Sequence, residues 1–152
     1  MDHPHSHGHP GMPELAERLR RSSRKLTGPR HHVLEVLRSE GHPISARALF
    51  EALPPGKCDL ATVYRSLQLL EEMGMIKRYD LGDGVKRFEL LEEGDDGHHH
   101  HLVCTRCAGV VEIEDCFMPG LEETIAAHSG FSNITHRLEF TGICPACQSQ
   151  SQ

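Results

Sequence analysis

Two Cys-x-x-Cys pairs, Cys104/Cys107 in "CTRC" and Cys144/Cys147 in "CPAC", constrain this chain more than any other feature. Paired knuckles of this kind are the usual way to close a tetrahedral four-thiolate Zn²⁺ site, with a redox dithiol or a chance match as the alternatives. The stretch that holds them, from Leu91 onward, is about 60 residues, too few to bury a secure apolar core unaided. A structural zinc would supply the missing fastening. Cys58 and Cys116 stand alone and read as small core or surface residues.

Directly before the first pair runs "GHHHHLVC". An affinity tag would sit at a terminus, whereas this run leads at once into Leu102, Val103 and Cys104, the pattern of a strand. Successive strand residues point to opposite faces, so His99 and His101 share one face and His98 and His100 the other. Four consecutive histidines therefore offer two separate two-imidazole half-sites, each needing further ligands. Glu89, Glu112, His42 and His136 are the candidates. The plainer alternatives are a surface histidine run that binds nothing and, for His136, a satisfied core histidine.

The net charge of −6 over 152 residues argues against nucleic acid until it is divided along the chain. From Glu14 to Leu90 there are 14 Lys+Arg and 11 Asp+Glu, net +3; from Leu91 to Gln152 there are 2 and 10, net −8; Asp2 supplies the remainder. Arg18, Arg20, Arg21, Arg24, Lys25 and Arg30 crowd one short stretch. A basic front and an acidic back point to a polyanion for one half and cations for the other.

The basic half reads as helices followed by a hairpin. "PELAERLRRSS" is a short helix; "TGPRHHVLEVLRSEG" begins at a Thr27 or Gly28 cap and ends at Gly41. "SARALFEAL" has Ser45 as N-cap and Ala46, Leu49, Phe50 and Leu53 on one face. In "LATVYRSLQLLEEMG" the stripe Leu60, Val63, Leu67 and Leu70 faces a core, leaving Ala61, Tyr64, Arg65, Gln68 and Glu72 opposite; Gly74 stops the helix. Arg and Gln hydrogen-bond base edges and an aromatic ring contacts thymine methyls, so this face suits a major groove, though an ordinary solvated face has the same composition. "MIKRYDLGDGVKRFEL" alternates around Asp83-Gly84, which predicts Tyr79 and Leu81 on the same face as Phe88 and Leu90. The order is that of a winged helix-turn-helix.

In the acidic half, "HHLVC" and "GVVEIED" read as strands around the first knuckle. "MPGLEETIAAHSG" reads as a helix with Leu121 and Ile125 inward, and "SNITHRLEFTGIC" as a strand with Ile134, His136, Leu138 and Phe140 on one face. The expected class is α+β: a flexible His-rich tail over 1–13, a winged-helix DNA-binding domain over 14–90, a metal-binding α/β domain over 91–147 and a tail over 148–152. No apolar run has the length of a signal peptide or a membrane span, which predicts a cytoplasmic protein.

"LTGPR", "LATVYRSL", "FEL", "HHHHLVCTRC", "VVEIED" and "THRLEFTGICPAC", taken in order, resemble the ferric uptake regulator family of metal-responsive repressors from about residue 14 to 147. The resemblance implies a homodimer with winged helices for DNA and C-terminal α+β domains for dimerisation. It implies a structural zinc on Cys104, Cys107, Cys144 and Cys147. It implies a regulatory site for Fe²⁺, Mn²⁺ or Zn²⁺ at the hinge, matched by Glu89, His99, His101 and Glu112 with a histidine from the DNA-binding domain. A third site is matched by His98, His100 and His136. Lys25 matches the family's minor-groove lysine; Tyr64 and Arg65 match its base-contacting residues, with Thr62 and Gln68 beside them. Two positions depart from the pattern. The hinge histidine usually lies two residues before "SA", where this chain has Pro43 and His42 is displaced by one. The third site commonly includes a glutamate where this chain has Pro119, leaving Glu122 or Cys116 to complete it.

Function then reads as an operator-binding metal sensor, most consistent with iron uptake. Mixed His/Glu ligation without cysteine favours Fe²⁺ or Mn²⁺ over a dedicated zinc sensor, although Zn²⁺ outcompetes Fe²⁺ at most N/O sites. Peroxide-sensing relatives tend to carry Asp where this chain has Glu112. A zinc hydrolase is the alternative of another class, but "HExxH" and "HxE…PCxxC" are both missing. A metal store is suggested by His3, His5, His7 and His9, yet would not explain Tyr64 and Arg65.

Overall fold

The computed structural model of the chain describes residues 10–94, 100–113, 118 and 120–149. Of the residues singled out above, His98, His99, Cys116 and Pro119 lie outside these, as do the four histidines of the first nine positions. The described residues fall into two compact units, the first ending by 94 and the second beginning at 100.

Local capping sets the helices of the first unit. Helix α1 (Met12–Arg21) buries Leu15 and Leu19, one turn apart. Thr27, rather than Gly28, caps α2 (Gly28–Glu40): its hydroxyl accepts the Arg30 N–H at 3.4 Å, and Gly41 at φ 64° ends the helix. Ser45 accepts the Ala48 N–H at 3.1 Å to open α3 (Ala46–Ala52). Asp59 accepts the Thr62 N–H at 2.7 Å to open α4 (Leu60–Glu72). Helix α4 closes in a Schellman arrangement, with Met75 N–H on the Leu70 carbonyl, Gly74 N–H on the Glu71 carbonyl, and Gly74 itself at φ 65°. Val33, Leu34, Leu37, Leu49, Val63, Leu67 and Leu70 share one core with Ile76, Phe88 and Leu90. Two expected core positions sit at its edge: Leu60 is half-buried and Phe50 exposed, because α3 has only two turns and Phe50 lies a helical step off the Ala46–Leu49–Leu53 line.

The wing corrects the predicted hairpin. Strands β2 (Ile76–Asp80) and β3 (Lys86–Leu90) pair antiparallel with Arg78 opposite Phe88 and Tyr79 opposite Arg87. Tyr79 therefore shares its face with Arg87, not with Phe88 and Leu90, and Leu81 lies buried beyond the end of β2. The expected pairing required an even-numbered connection; residues 81–85 make it odd, and a one-residue change of register inverts the faces. Asp80 and Asp83 each accept an N–H two residues on, from Gly82 and Val85, and the buried Arg87 guanidinium clasps both Asp83 oxygens at 3.0 and 2.7 Å. Strand β1 (Ile44–Ser45), too short to leave a sequence signal, adds to the other edge, giving the order β1-β3-β2.

The second unit is a three-stranded sheet in the order β5-β4-β6, from β4 (His100–Cys104), β5 (Val110–Ile113) and β6 (Glu139–Gly142). Strand β4 runs antiparallel to β5 and parallel to β6. The parallel pairing requires a crossover, which contains α5 (Leu121–Ser129). A short α6 (Pro145–Ser149) follows the second knuckle. Two expectations fail here. Ile125 of α5 is 43% exposed and Leu121 only half-buried, and the last strand covers Glu139–Gly142, so Ile134, His136 and Leu138 precede it outside the strand. Leu102, Val111 and Phe140 are exposed as well, so the apolar residues of this unit exceed what one copy of it covers.

Candidate metal centres and nucleic-acid face

The two knuckles converge. The Sγ atoms of Cys104, Cys107, Cys144 and Cys147 all lie within 4.8 Å of one another, with Cys107 and Cys144 3.7 Å apart. Four sulfurs about 2.3 Å from a tetrahedral Zn²⁺ stand about 3.8 Å apart, so the donor set fits that ion. Backbone geometry shapes the cluster: Ala108 takes φ 58° so that its N–H reaches the Cys104 carbonyl, and Cys104 N–H reaches the Gly109 carbonyl at 2.8 Å. The Cys104 thiol is lowered to about 6, chiefly by backbone N–H groups of Cys107, then Cys144 and Arg106. Cys147 is pushed up to about 12, first by its hydrogen bond with the Cys144 thiol and then by burial. One sulfur is thus prepared as a thiolate while another holds its proton among its neighbours, the state a cation would resolve. Arg106, which sequence reasoning passed over, donates to the Cys147 carbonyl at 2.9 Å and ties one knuckle to the other. Its place inside "CTRC" was the available signal.

Strand β4 separates its two described histidines as the alternation predicted. His101 is buried and stands opposite Glu112 on β5, placing an imidazole and a carboxylate side by side on one face. His100, on the other face, stacks on His136 at 5.1 Å between ring centroids, and their Nε2 atoms are 3.2 Å apart. Two nitrogens about 2.1 Å from one ion and 3.2 Å from each other subtend about 100°, an ordinary ligand angle. Glu122 bonds to Nδ1 of His136. This sets the ring with Nε2 toward His100, so that Glu122 stands behind His136 on the side away from His100.

In the first unit, Glu89 is buried on β3 opposite Lys77. His42 is exposed beyond α2, with Nε2 3.3 Å from Glu40 and Nδ1 3.4 Å from the Pro43 carbonyl. On α4 the expected face is bare: Tyr64 is 53% exposed, and Ala61, Arg65, Gln68 and Glu72 are exposed with it. Thr62 accepts Arg65 Nη2 at 3.0 Å, and Gln68 donates to Glu72 at 3.1 Å, so the polar side chains are held along the helix. Lys25 is exposed in the α1–α2 connection, its carbonyl accepting from the Arg30 guanidinium. Arg30 thereby positions the segment, a role its place among the basic residues did not reveal.

Residues 21–141 match the model of the "Ferric uptake regulator family". The chain belongs to that family. It is 39% identical over 141 residues to the ferric uptake regulation protein of Bacillus subtilis (strain 168), covering 90% of this chain and 93% of that one. It is 35% identical over 146 residues to the peroxide operon regulator of the same organism, covering 91% and 94%. The crystal structure of the Vibrio cholerae ferric uptake regulator superposes with a TM-score of 0.71 at 32% identity, covering 86% of this chain and 99% of that one. As a ferric uptake regulator family member the protein is a metal-responsive transcription regulator, and family regulators are DNA-binding factors rather than enzymes.

Proposed function

We propose that this regulator represses iron-uptake genes, binding an AT-rich palindromic operator as a homodimer when a regulatory cation is held. The observation that carries the reading is the divided strand β4, with His101 beside Glu112 on one face and His100 against His136 on the other. The regulatory ligands are Glu89, His99, His101 and Glu112, and His42, displaced by one from the family's hinge position, is the candidate histidine from the first unit. Mixed His/Glu ligation favours Fe²⁺ or Mn²⁺ as the regulatory ion, and Zn²⁺ competes for the same donors. Cys104, Cys107, Cys144 and Cys147 hold structural zinc. His98, His100 and His136 form the third site, with Glu122 steadying His136.

Tyr64, Arg65, Thr62 and Gln68 read bases while Lys25 holds the backbone or minor groove; the exposure of this face of α4 supports the assignment. The uncovered apolar residues of the second unit support dimerisation through it. No described helix is long and apolar enough to cross a membrane; a cytoplasmic role is part of the proposal and rests on operator binding. The bound ion supplies charge that gathers its ligands. The protein's own contribution is to present two winged helices at fixed spacing, lowering the entropy lost on the operator, and metal and DNA affinities rise together. A peroxide-responsive role is the second reading, favoured by the 35% identical peroxide operon regulator.

Operator binding titrated with Mn²⁺, an air-stable substitute for Fe²⁺, tests the proposal. His99→Ala/His101→Ala abolishes metal-activated binding, whereas His98→Ala/His100→Ala retains an appreciable response. Equal loss in the two variants contradicts the division of labour. Arg65→Ala lowers discrimination against altered operators by about 1–3 kcal/mol, and Lys25→Ala weakens all sequences alike and flattens the salt dependence.

A further inference from the structure

Helix α2 carries a second kind of cluster, in the first unit and independent of the sites above. Adjacent helical residues do not face each other, but Glu35 is one turn from both His31 and His32, at i+4 and i+3, and lies between their two rows. Its Oε2 atom is 3.3 Å from Nδ1 of His31 and 3.4 Å from Nδ1 of His32, and the three donor atoms lie within 4.8 Å of one another. The two rings stand perpendicular, so that they converge on the carboxylate without stacking. Two donors about 2.05 Å from one tetrahedral ion are about 3.3 Å apart, the spacing found here. His31 and His32 are half-buried and Glu35 is exposed, so the cluster is held by a regular helix yet open to solvent on one side.

We infer that His31, His32 and Glu35 form an exchangeable site for a divalent first-row cation of the Zn²⁺ type. Two imidazole nitrogens and one carboxylate oxygen supply three ligands, and solvent supplies the remainder. The mixed nitrogen–oxygen set disfavours Mg²⁺ and Ca²⁺, which take oxygen donors. One carboxylate would satisfy one protonated histidine; two Nδ1 atoms on one oxygen are the arrangement of a tripod.

Zn²⁺ added to the full-length protein, followed by long-range ¹H–¹⁵N spectra of the imidazole rings, tests the site locally whatever other sites fill. Both His31 and His32 Nδ1 resonances shift together and saturably with Zn²⁺ and stay unmoved by Mg²⁺. Glu35→Gln raises the Zn²⁺ concentration needed for half-saturation about tenfold or more, since even an outer-shell partner is worth that much. No shift at millimolar Zn²⁺, movement of one ring alone, or an unchanged titration in Glu35→Gln each overturns the assignment. Because the readout is confined to two rings of α2, it is indifferent to whether the operator-binding proposal stands.

Discussion

The two units solve the problem of stability in different ways. In the first, side chains from four helices and the wing lock into one core, with Leu15, Leu19, Leu34, Leu49, Val63 and Leu70 fully buried. In the second, Val103, Cys104 and Cys147 are the buried apolar side chains among the described residues, while Val111 and Phe131 are 60% and 72% exposed. One unit is held by its own burial. The other brings its four thiols together and leaves apolar residues exposed, the surface proposed above for dimerisation. On the proposed function that division also separates the tasks: a helix face expected to keep its shape without metal, and a sheet expected to depend on a cation for its order.

Substitutions that strike one unit and spare the other sharpen this contrast. The largest effect is expected from Leu67→Ala, which removes a fully buried side chain of α4 and costs about 2–5 kcal/mol in denaturant unfolding. Metal analysis of the variant should still find the zinc retained, because no cysteine is touched; concomitant zinc loss would show the two units to be one cooperative structure. Next comes Val111→Glu/Phe140→Glu, which places charge on the exposed apolar residues of the sheet. It should convert dimer to monomer in sedimentation experiments while amide protection in α2 and α4 is unchanged. A dimer of wild-type strength would assign the uncovered surface some other use. The smallest effect is that of Ser45→Ala: losing the cap of α3 costs about 1 kcal/mol, confined to the first unit.

Much of this was legible in the sequence where a residue type carries its own geometry. The caps Ser45 and Thr27, the stops Gly41 and Gly74, the α4 stripe and the alternation of His100 and His101 follow from local rules and appear in the structure. So does the meeting of the four cysteines, because two knuckles 37 to 40 residues apart have little else to do than converge. What escaped was set by long-range or odd-even detail. The wing's connection of odd length moved Tyr79 to the face of Arg87. Ile125 looked inward because its amphipathic pattern says only that a face is apolar, not whether its own chain or a second copy covers it. Glu122 read as a substitute for the expected glutamate, and its contact with Nδ1 of His136 is one no spacing encodes. The His31–His32–Glu35 tripod escaped because its histidines are neighbours in sequence, where a helix normally separates them.

The dependence of the second unit on its thiols has a direction in pH. A Cys104 thiol lowered to about 6 is ionised at neutral pH, while a Cys147 thiol at about 12 is not. Zinc uptake therefore expels the proton that Cys147 holds, and zinc affinity falls as the pH is lowered, more steeply below about 6 where Cys104 also takes up a proton. A chromophoric chelator followed across pH measures this; retention that strengthens toward acid would contradict it.

Hydrogen exchange resolved along the full-length chain, before and after zinc is withdrawn by a strong chelator at neutral pH, distinguishes a unit held by burial from one held by its thiols. Amides of β4, β5 and β6 are expected to lose their protection on zinc withdrawal while those of α2, α4 and β3 keep theirs. Protection that survives in the second unit, or that collapses equally in both, would contradict that division.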